Sequence, residues 1–307
     1  MNMTLWNEKT KGEGSLLPPV MGLFEHLHEV EELGEGGYSV SAQGGGDLLL
    51  PFAFEEMLCR DVGAGLVLPS LHLWSHPGGV ALGLRDSKLP GAARAMDKLE
   101  SRGIRTAVRH SGGAAVPLDA GIVNVSLILP KSQGKLDFHD DFRLLATVIT
   151  EAVAVSHPKA AAQIVAKEVV GSYCPGDFDL SIGGRKFCGI AQRRQSQSFF
   201  VHAFVVVSGS GLERGELIRS FYEDAAAGEH GLSYPQVRPE TIAGLGELGG
   251  PATTAAFCSG IREALARRAT ELIPSRRLQQ ETGYKLDYSD QRVKDAAGVL
   301  RERYSQL

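Results

Sequence analysis

Apolar residues along this chain follow two periods. At 138–156, Phe138, Phe142, Leu145, Ile149 and Ala152 recur at helical spacing and predict a helix with one buried face. Pro51 opens another helix over 51–61, with Phe54, Met57 and Leu58 inward and Cys59 a structural residue beside that stripe. Helices are also predicted over 91–102, stopping at Gly103, over Leu212–Ala226 and over Ala255–Leu272, and Pro239 could start one more. The shorter, β-prone runs Leu71–Trp74 and Val80–Leu84 read as two strands around the turn His76-Pro77-Gly78-Gly79. Further strands are predicted at Ile104–Val108, Ile122–Leu129 and Phe199–Val207, with a short one before Gly171. Helices interspersed with hairpins, without regular strand–helix alternation, predict an α+β domain.

Residues 171–194 carry the sharpest local signal. Gly183-Gly184 between alternating segments is a two-residue hairpin turn. In its simplest register Ile182 faces Arg185, Ser181 faces Lys186, Leu180 faces Phe187 and Asp179 faces Cys188. Alternation then puts Phe178, Leu180, Ile182 and Phe187 on a core face, and Asp177, Asp179, Ser181, Lys186 and Cys188 on a polar one. That polar face is either solvated or a site. Gly189 and Ala191 are small enough for other segments to approach it closely.

Cys174 lies in a Pro/Gly turn just before this hairpin. A thiol becomes a useful nucleophile at neutral pH when a nearby cation favours the thiolate, and Lys186 is the available cation. Strand alternation does not extend through Pro175-Gly176, so the distance between Cys174 and Lys186 stays open at this stage. Cys188 shares the predicted face of Lys186, but a mid-strand cysteine is usually packed.

A second constellation runs from Arg109 to Ser126. Ser111-Gly112-Gly113 offers unobstructed backbone N–H groups, and the small residues after it leave room for an extended apolar chain. A tight turn between strands is the alternative reading.

The two ends of the chain are less patterned. Residues 1–46 are glycine-rich and end in Gly44-Gly45-Gly46, without the strand, helix and Lys-Ser/Thr ending of a phosphate loop. They read as an N-terminal extension. Residues 274–307 are highly charged with a weak helical pattern and read as a peripheral tail, leaving 47–273 as the main domain.

Composition narrows the function classes. The 307 residues carry a net charge of −4 and no dense Lys/Arg stripe, against nucleic-acid binding. No apolar run approaches the ~20 residues of a membrane span, and the first residues lack a signal-peptide pattern. The four cysteines form no CxxC pair, as expected of free thiols in the cytoplasm.

These constellations, in this order, resemble the biotin/lipoate protein ligase superfamily. There, an Arg-x-Ser/Gly-Gly-Gly segment lines the acyl pocket and a Gly-x-Lys strand carries an essential lysine. Arg109–Ser126 and Gly184–Ala191 fit that pattern, and Trp74–Gly83 is similar to its earlier strand pair. The resemblance covers roughly residues 50–270 and implies a ligase-like catalytic domain of mixed and antiparallel sheets packed with helices.

Within the superfamily the chain most resembles the octanoyl-[glycine cleavage H protein]:protein N-octanoyltransferases, or lipoyl amidotransferases. The motif runs Gly171-Ser172-Tyr173-Cys174-Pro175-Gly176, Asp179-Leu180-Ser181-Ile182, Lys186-Phe187, Gly189-Ile190 and Gln192-Arg193-Arg194. Ser87-Lys88-Leu89-Pro90 and Arg238-Pro239-Glu240-Thr241 also look like that family. Two positions depart from it: Gln195–Phe200 replaces a Gly-rich turn, and Cys188 stands where a small residue is common.

The resemblance implies that Cys174 is an acyl-thioester nucleophile and that Lys186 lowers its pKa and moves protons. Arg109, Ser111, Gly112, Gly113, Trp74 and Gly189 are the implied substrate-binding residues. The implied donor is the octanoylated glycine cleavage H protein and the acceptors are lipoyl domains of 2-oxoacid dehydrogenases. Amide-for-amide exchange needs no ATP, metal or cofactor. Backbone N–H groups near Cys174 or Gly112-Gly113 are candidate oxyanion donors, and Arg193-Arg194 is either a contact for acidic lipoyl domains or a solvated strand end. Three rivals remain: octanoyl transfer from acyl carrier protein, an ATP-dependent lipoate ligase, and a non-catalytic lipoyl-domain binder.

Overall fold

The strongly apolar runs of the sequence lie side by side in a computed structural model that describes residues 17–27, 46–110, 112–131 and 138–304. In chain order the first half contains β1 (Val20–His26), α1 (Leu50–Gly63), β2 (Ser70–Trp74), β3 (Gly78–Leu82), α2 (Ala92–Glu100), β4 (Thr106–Val108), β5 (Val116–Asp119) and β6 (Ile122–Pro130). The second half continues with α3 (Phe138–Ser156), α4 (Pro158–Ala161), β7 (Val165–Ala166), β8 (Leu180–Ile182), β9 (Arg185–Arg194), β10 (Ser198–Val206) and α5 (Gly211–Ala226). It closes with α6 (Thr254–Ala266), β11 (Glu271–Pro274), α7 (Ser275–Thr282) and α8 (Gln291–Tyr304).

Eight strands form one mixed sheet in the order β11-β1-β2-β6-β10-β9-β8-β7, and β4-β3-β5 form a second. This is the α+β arrangement expected from the sequence. The strands read as β2 and β3 do not pair with each other: β2 joins the large sheet and β3 the small one. Their connection therefore steps between sheets, carrying Trp74 on one and Gly83 just past the other.

Both faces of the large sheet are covered, which is why β6 and β10 are apolar almost without interruption. Val123, Val125 and Leu127 of β6 share one core with Phe199, Val201 and Val205 of β10. Leu145, Ile149 and Ala152 of α3 bury against that face, in agreement with their helical spacing. The opposite face meets α1, whose Phe54 and Leu58 are fully buried.

The two termini depart from expectation. Residues 20–26, within the segment read as an extension, form β1, paired in parallel with β2 and β11. A parallel partner supplied by residue 271 onward leaves no local trace in the sequence. Nor is the charged C-terminal stretch peripheral. Leu278, Leu286, Val293, Ala297 and Leu300 are buried in the same core as α1. The predicted helix over 255–272 stops at Ala266, and Glu271–Pro274 becomes the edge strand beside β1.

The hairpin forms with one correction. Gly183 and Gly184 both adopt positive φ, 58° and 75°, the backbone a type I′ turn requires. Ile182 faces Arg185 and Ser181 faces Lys186 as expected, but Leu180 then faces Cys188, with a bulge between. Two residues of β9, Phe187 and Cys188, thus oppose one of β8, and both enter the core with Leu180. The extra residue removes Cys188 from the face of Lys186. Among the described residues no helix is long and apolar enough to cross a membrane.

Candidate active site

Two loops meet at Cys174. The first, 109–115, leaves β4 and enters β5. Its shape is set by Arg109, which is 5% exposed and spreads its guanidinium over backbone carbonyls. Nε donates to Gly112 O at 3.1 Å, Nη1 to Ala81 O at 3.2 Å and Nη2 to Ala114 O at 2.7 Å. The planar fork lets one side chain hold three carbonyls. Gly112 and Gly113 take positive φ, 28° and 84°. A Cβ at Gly113 would lie 2.8 Å from Arg109 Nη2 and 2.9 Å from Cys174 Sγ, so glycine is needed there for space as well as conformation.

The same loop is braced from behind. Ala115 N donates to the Tyr222 hydroxyl at 3.0 Å, and that hydroxyl donates to Asp86 Oδ1 at 2.9 Å. Asp86 Oδ2 accepts from Gly83 N at 2.7 Å. Burial pushes the Asp86 carboxyl and the Tyr222 phenol up. Sequence reasoning missed this brace. Its nearest signal was the adjacent Ser87-Lys88-Leu89-Pro90 motif.

The second loop, 167–179, carries Cys174 with φ 46°, a left-handed backbone that non-glycine residues seldom take. Its sulfur receives Ala114 N at 3.3 Å and Arg109 Nη2 at 3.6 Å. The first loop therefore presents both a backbone and a guanidinium N–H to the thiol.

Lys186 is 1% exposed and does reach Cys174, at its backbone. Nζ donates to Cys174 O at 2.7 Å and to Tyr173 O at 2.9 Å, and lies 2.8 Å from Asp179 Oδ1. It also stands 5.4 Å from the centre of the Phe204 ring. A Cβ on Gly189 would meet that ring at 2.6 Å, so the glycine is what admits Phe204 beside Lys186. Gly171 is shaped by the Arg238 segment: Arg238 N donates to Gly171 O at 2.7 Å, and Nη2 to Val170 O at 2.8 Å.

The four cysteines are all free and differ sharply in setting. Cys59, Cys188 and Cys258 are fully buried, while Cys174 is partly exposed. Burial raises the Cys59 and Cys258 thiols to about 12, and the Cys188 thiol further still. Cys188 is a packing residue.

Other expected site residues lie elsewhere. Trp74 is buried with Nε1 donating to Glu55 Oε1 at 2.8 Å, inside a polar cluster beneath α1 that also holds His72 and Ser126. None of the hydrogen bonds at Cys174 or Lys186 involves it. Ser111 lies outside the described residues. Arg193 pairs with Glu56 at 3.3 Å, and Arg194 pairs with Asp141 at 2.9 Å and covers the Phe199 ring. Both arginines are thus engaged within the molecule. A cleft of about 400 Å³ between α2, β4 and α8 contains neither Cys174 nor Lys186.

Residues 47–265 match the lipoyl protein ligase A/B catalytic domain. The chain belongs to that family. Within the lipoyl protein ligase A/B family, it is 43% identical over 226 residues to an octanoyl-[GcvH]:protein N-octanoyltransferase of Anoxybacillus flavithermus, covering 73% of this chain and 80% of that one. A lipoyl-[GcvH]:protein N-lipoyltransferase of Listeria monocytogenes is 36% identical over 203 residues, or 66% and 72% of the two chains. The fold is shared with a crystal structure of lipoate-protein ligase A bound with ATP, with a TM-score of 0.57 at 18% identity over 93% of this chain and 96% of the other.

Proposed function

We propose that this protein is an acyltransferase of lipoate assembly. It moves an octanoyl group from a lysine of the glycine cleavage H protein to lysines of the lipoyl domains of 2-oxoacid dehydrogenases. Octanoyltransferase relatives at about 40% identity over two thirds of the chain support the donor. The observation that carries the chemistry is the setting of Cys174, a partly exposed thiol with two N–H groups aimed at its sulfur and a buried lysine on its carbonyl.

The reaction divides into two transfers. In the first, the Cys174 thiolate attacks the octanoyl carbonyl carbon. The S–C bond forms, the C–N bond to the donor lysine breaks, and the departing amine takes a proton. In the second, the acceptor lysine's neutral amine attacks the thioester, a C–N bond forms, and the S–C bond breaks. The incoming amine loses its proton and the thiolate returns. Lys186 supplies the buried positive charge that stabilises the thiolate and carries the proton between departing and incoming amines. The Ala114 N–H, freed from the sulfur on acylation, is placed to hold the oxyanion beside it. Both sides of the exchange are amides, so no ATP is consumed. Four unpaired cysteines fit a reducing, cytoplasmic setting.

The test offers the protein octanoylated H protein, octanoyl acyl carrier protein, or octanoate with ATP, and weighs the intact chain after each. One octanoyl group on Cys174 from H protein alone is the expected result. Acylation only from the carrier protein would overturn the donor, and ATP-driven transfer surviving in Cys174→Ser would overturn the thioester. Because the Listeria relative is named a lipoyltransferase, lipoylated H protein belongs beside the octanoylated donor.

A further inference from the structure

Asp179 is buried, 1% exposed, and no step above uses it. It is nevertheless the residue on which the cysteine loop closes. Its backbone N donates to Gly176 O at 3.0 Å, and its carbonyl accepts from Lys167 N at 2.9 Å. Its side chain reaches in both directions. Oδ2 accepts from Val169 N at 3.2 Å, with Ser172 Oγ at 3.5 Å, and Oδ1 lies 2.8 Å from Lys186 Nζ.

An ammonium has three N–H groups and no acceptor, so its partners fix its direction. Lys186 has three: Asp179 Oδ1, Tyr173 O and Cys174 O. Two of them flank the Cys174 α-carbon, whose φ of 46° is held against a cost of roughly 1 kcal/mol. The third is the only carboxylate among Lys186's polar contacts with the described residues. A buried ammonium without its counter-charge would turn toward solvent or lose its proton. The first change would release the two carbonyls that define the cysteine's backbone, and the second would leave them only the weaker hydrogen bonds of a neutral amine.

We propose that Asp179 is the positioning residue of this site: it fixes Lys186 on the carbonyls of Tyr173 and Cys174 and thereby sets the Cys174 sulfur at the Ala114 and Arg109 N–H groups. Asp179 touches neither substrate nor the reacting atoms, and acts through Lys186. The kinetic consequence rests on the thioester reading above; the effect on Cys174 itself does not.

Two measurements therefore run in parallel on the full chain. The first follows octanoyl transfer from H protein for the wild type, Asp179→Asn, Asp179→Glu, Lys186→Met and the Asn/Met double variant. Asp179→Asn should lower kcat at least about tenfold while KM for the donor stays within about twofold, and Asp179→Glu should recover most of the loss. In the Lys186→Met background Asp179→Asn should add no further loss, since the residue it positions is gone. The second measures alkylation of Cys174 by iodoacetamide, with no acyl donor present, and should show the same ordering and the same non-additivity. Asp179→Asn at wild-type rates, or losses that multiply in the double variant, would overturn the proposal. If the wild type itself transfers no octanoate from H protein, the transfer reading fails while alkylation still decides the role of Asp179. If Asp179→Asn does not fold, Asp179→Ser against wild type, with and without Lys186→Met, reads the same coupling.

Discussion

Lys186 Nζ is hydrogen-bonded to the carbonyl oxygen of Cys174 at 2.7 Å, whereas the N–H groups aimed at the cysteine's sulfur come from Ala114 and Arg109. A strand thus holds the nucleophile's backbone and a loop addresses its reactive atom. The bulge between Leu180 and Ser181 matters to this division, because it turns Cys188 into the core and away from the face of Lys186.

Removing Lys186 strands the Asp179 carboxyl in a dry site. Lys186→Met should lower unfolding stability by about 2–4 kcal/mol, and the added Asp179→Asn should return most of it. Urea denaturation of the three proteins checks this; a double variant no more stable than Lys186→Met would refute the pairing.

Cysteine chemistry should be confined to one position. Brief alkylation of the native protein at neutral pH should label Cys174 and spare Cys59, Cys188 and Cys258, whose thiols are buried. Peptide mass mapping reads the sites. Cys174→Ser should reduce octanoyl transfer by at least about a thousandfold without lowering Tm.

Gly113→Ala combines two penalties. A φ of 84° costs a non-glycine residue roughly 1–2 kcal/mol, and the new methyl would press on both Arg109 and Cys174. Stability should fall by about that amount, and transfer by more than tenfold, because the loop retreats from the sulfur. Full turnover in a destabilised variant would show that this loop does not serve the reaction.

Stability at acid pH should report on Glu56. Burial opposes its charge, but hydrogen bonds from His110 and Arg193 outweigh that and hold its carboxyl at about 2 instead of 4.5. A depressed folded-state value stabilises the fold above the unfolded pKa and ceases to do so as pH falls through the folded one. The contribution, about 3 kcal/mol, should therefore be present at pH 6 and vanish progressively between about pH 5 and 2. Glu56→Gln should be less stable than wild type at pH 6, with the difference closing toward pH 2 in denaturant titrations.

The C-terminal helices should be integral to the domain. Val293 is fully buried against the α1 side of the core, and Val293→Ala should cost about 2 kcal/mol. Ending the chain after Thr282 should lower Tm far more, by exposing the core that α8 covers. Equal thermal stability of the shortened chain would restore the reading of a peripheral tail.

The sequence alone determined the elements whose signal is local. The helix at 138–156, the β-prone run at 199–207 and the diglycine turn each depend on a period or a dihedral preference that neighbouring residues fully specify. It also singled out Cys174 and Lys186, because a thiol in a Pro/Gly turn ahead of a lysine-bearing strand is a compact chemical pattern. Tertiary structure decided what those residues touch. The bulge at Ser181 reflects packing of Phe187 and Cys188 into one core, which no alternation rule contains. The role of Arg109 depends on carbonyls of residues 81, 112 and 114 converging on one guanidinium. Asp179 stood on the predicted polar face without an assigned task until folding put its carboxylate on Lys186 Nζ. The terminal segments were misread for the same reason. The apolar stripe Val293-Ala297-Leu300 is too narrow among charges to announce a buried helix, and β1 is a strand only because residues 70–74 and 271–274 pair with it. Local pattern fixes conformation, whereas contacts between distant residues fix burial, and burial is what turns a lysine near a cysteine into a site.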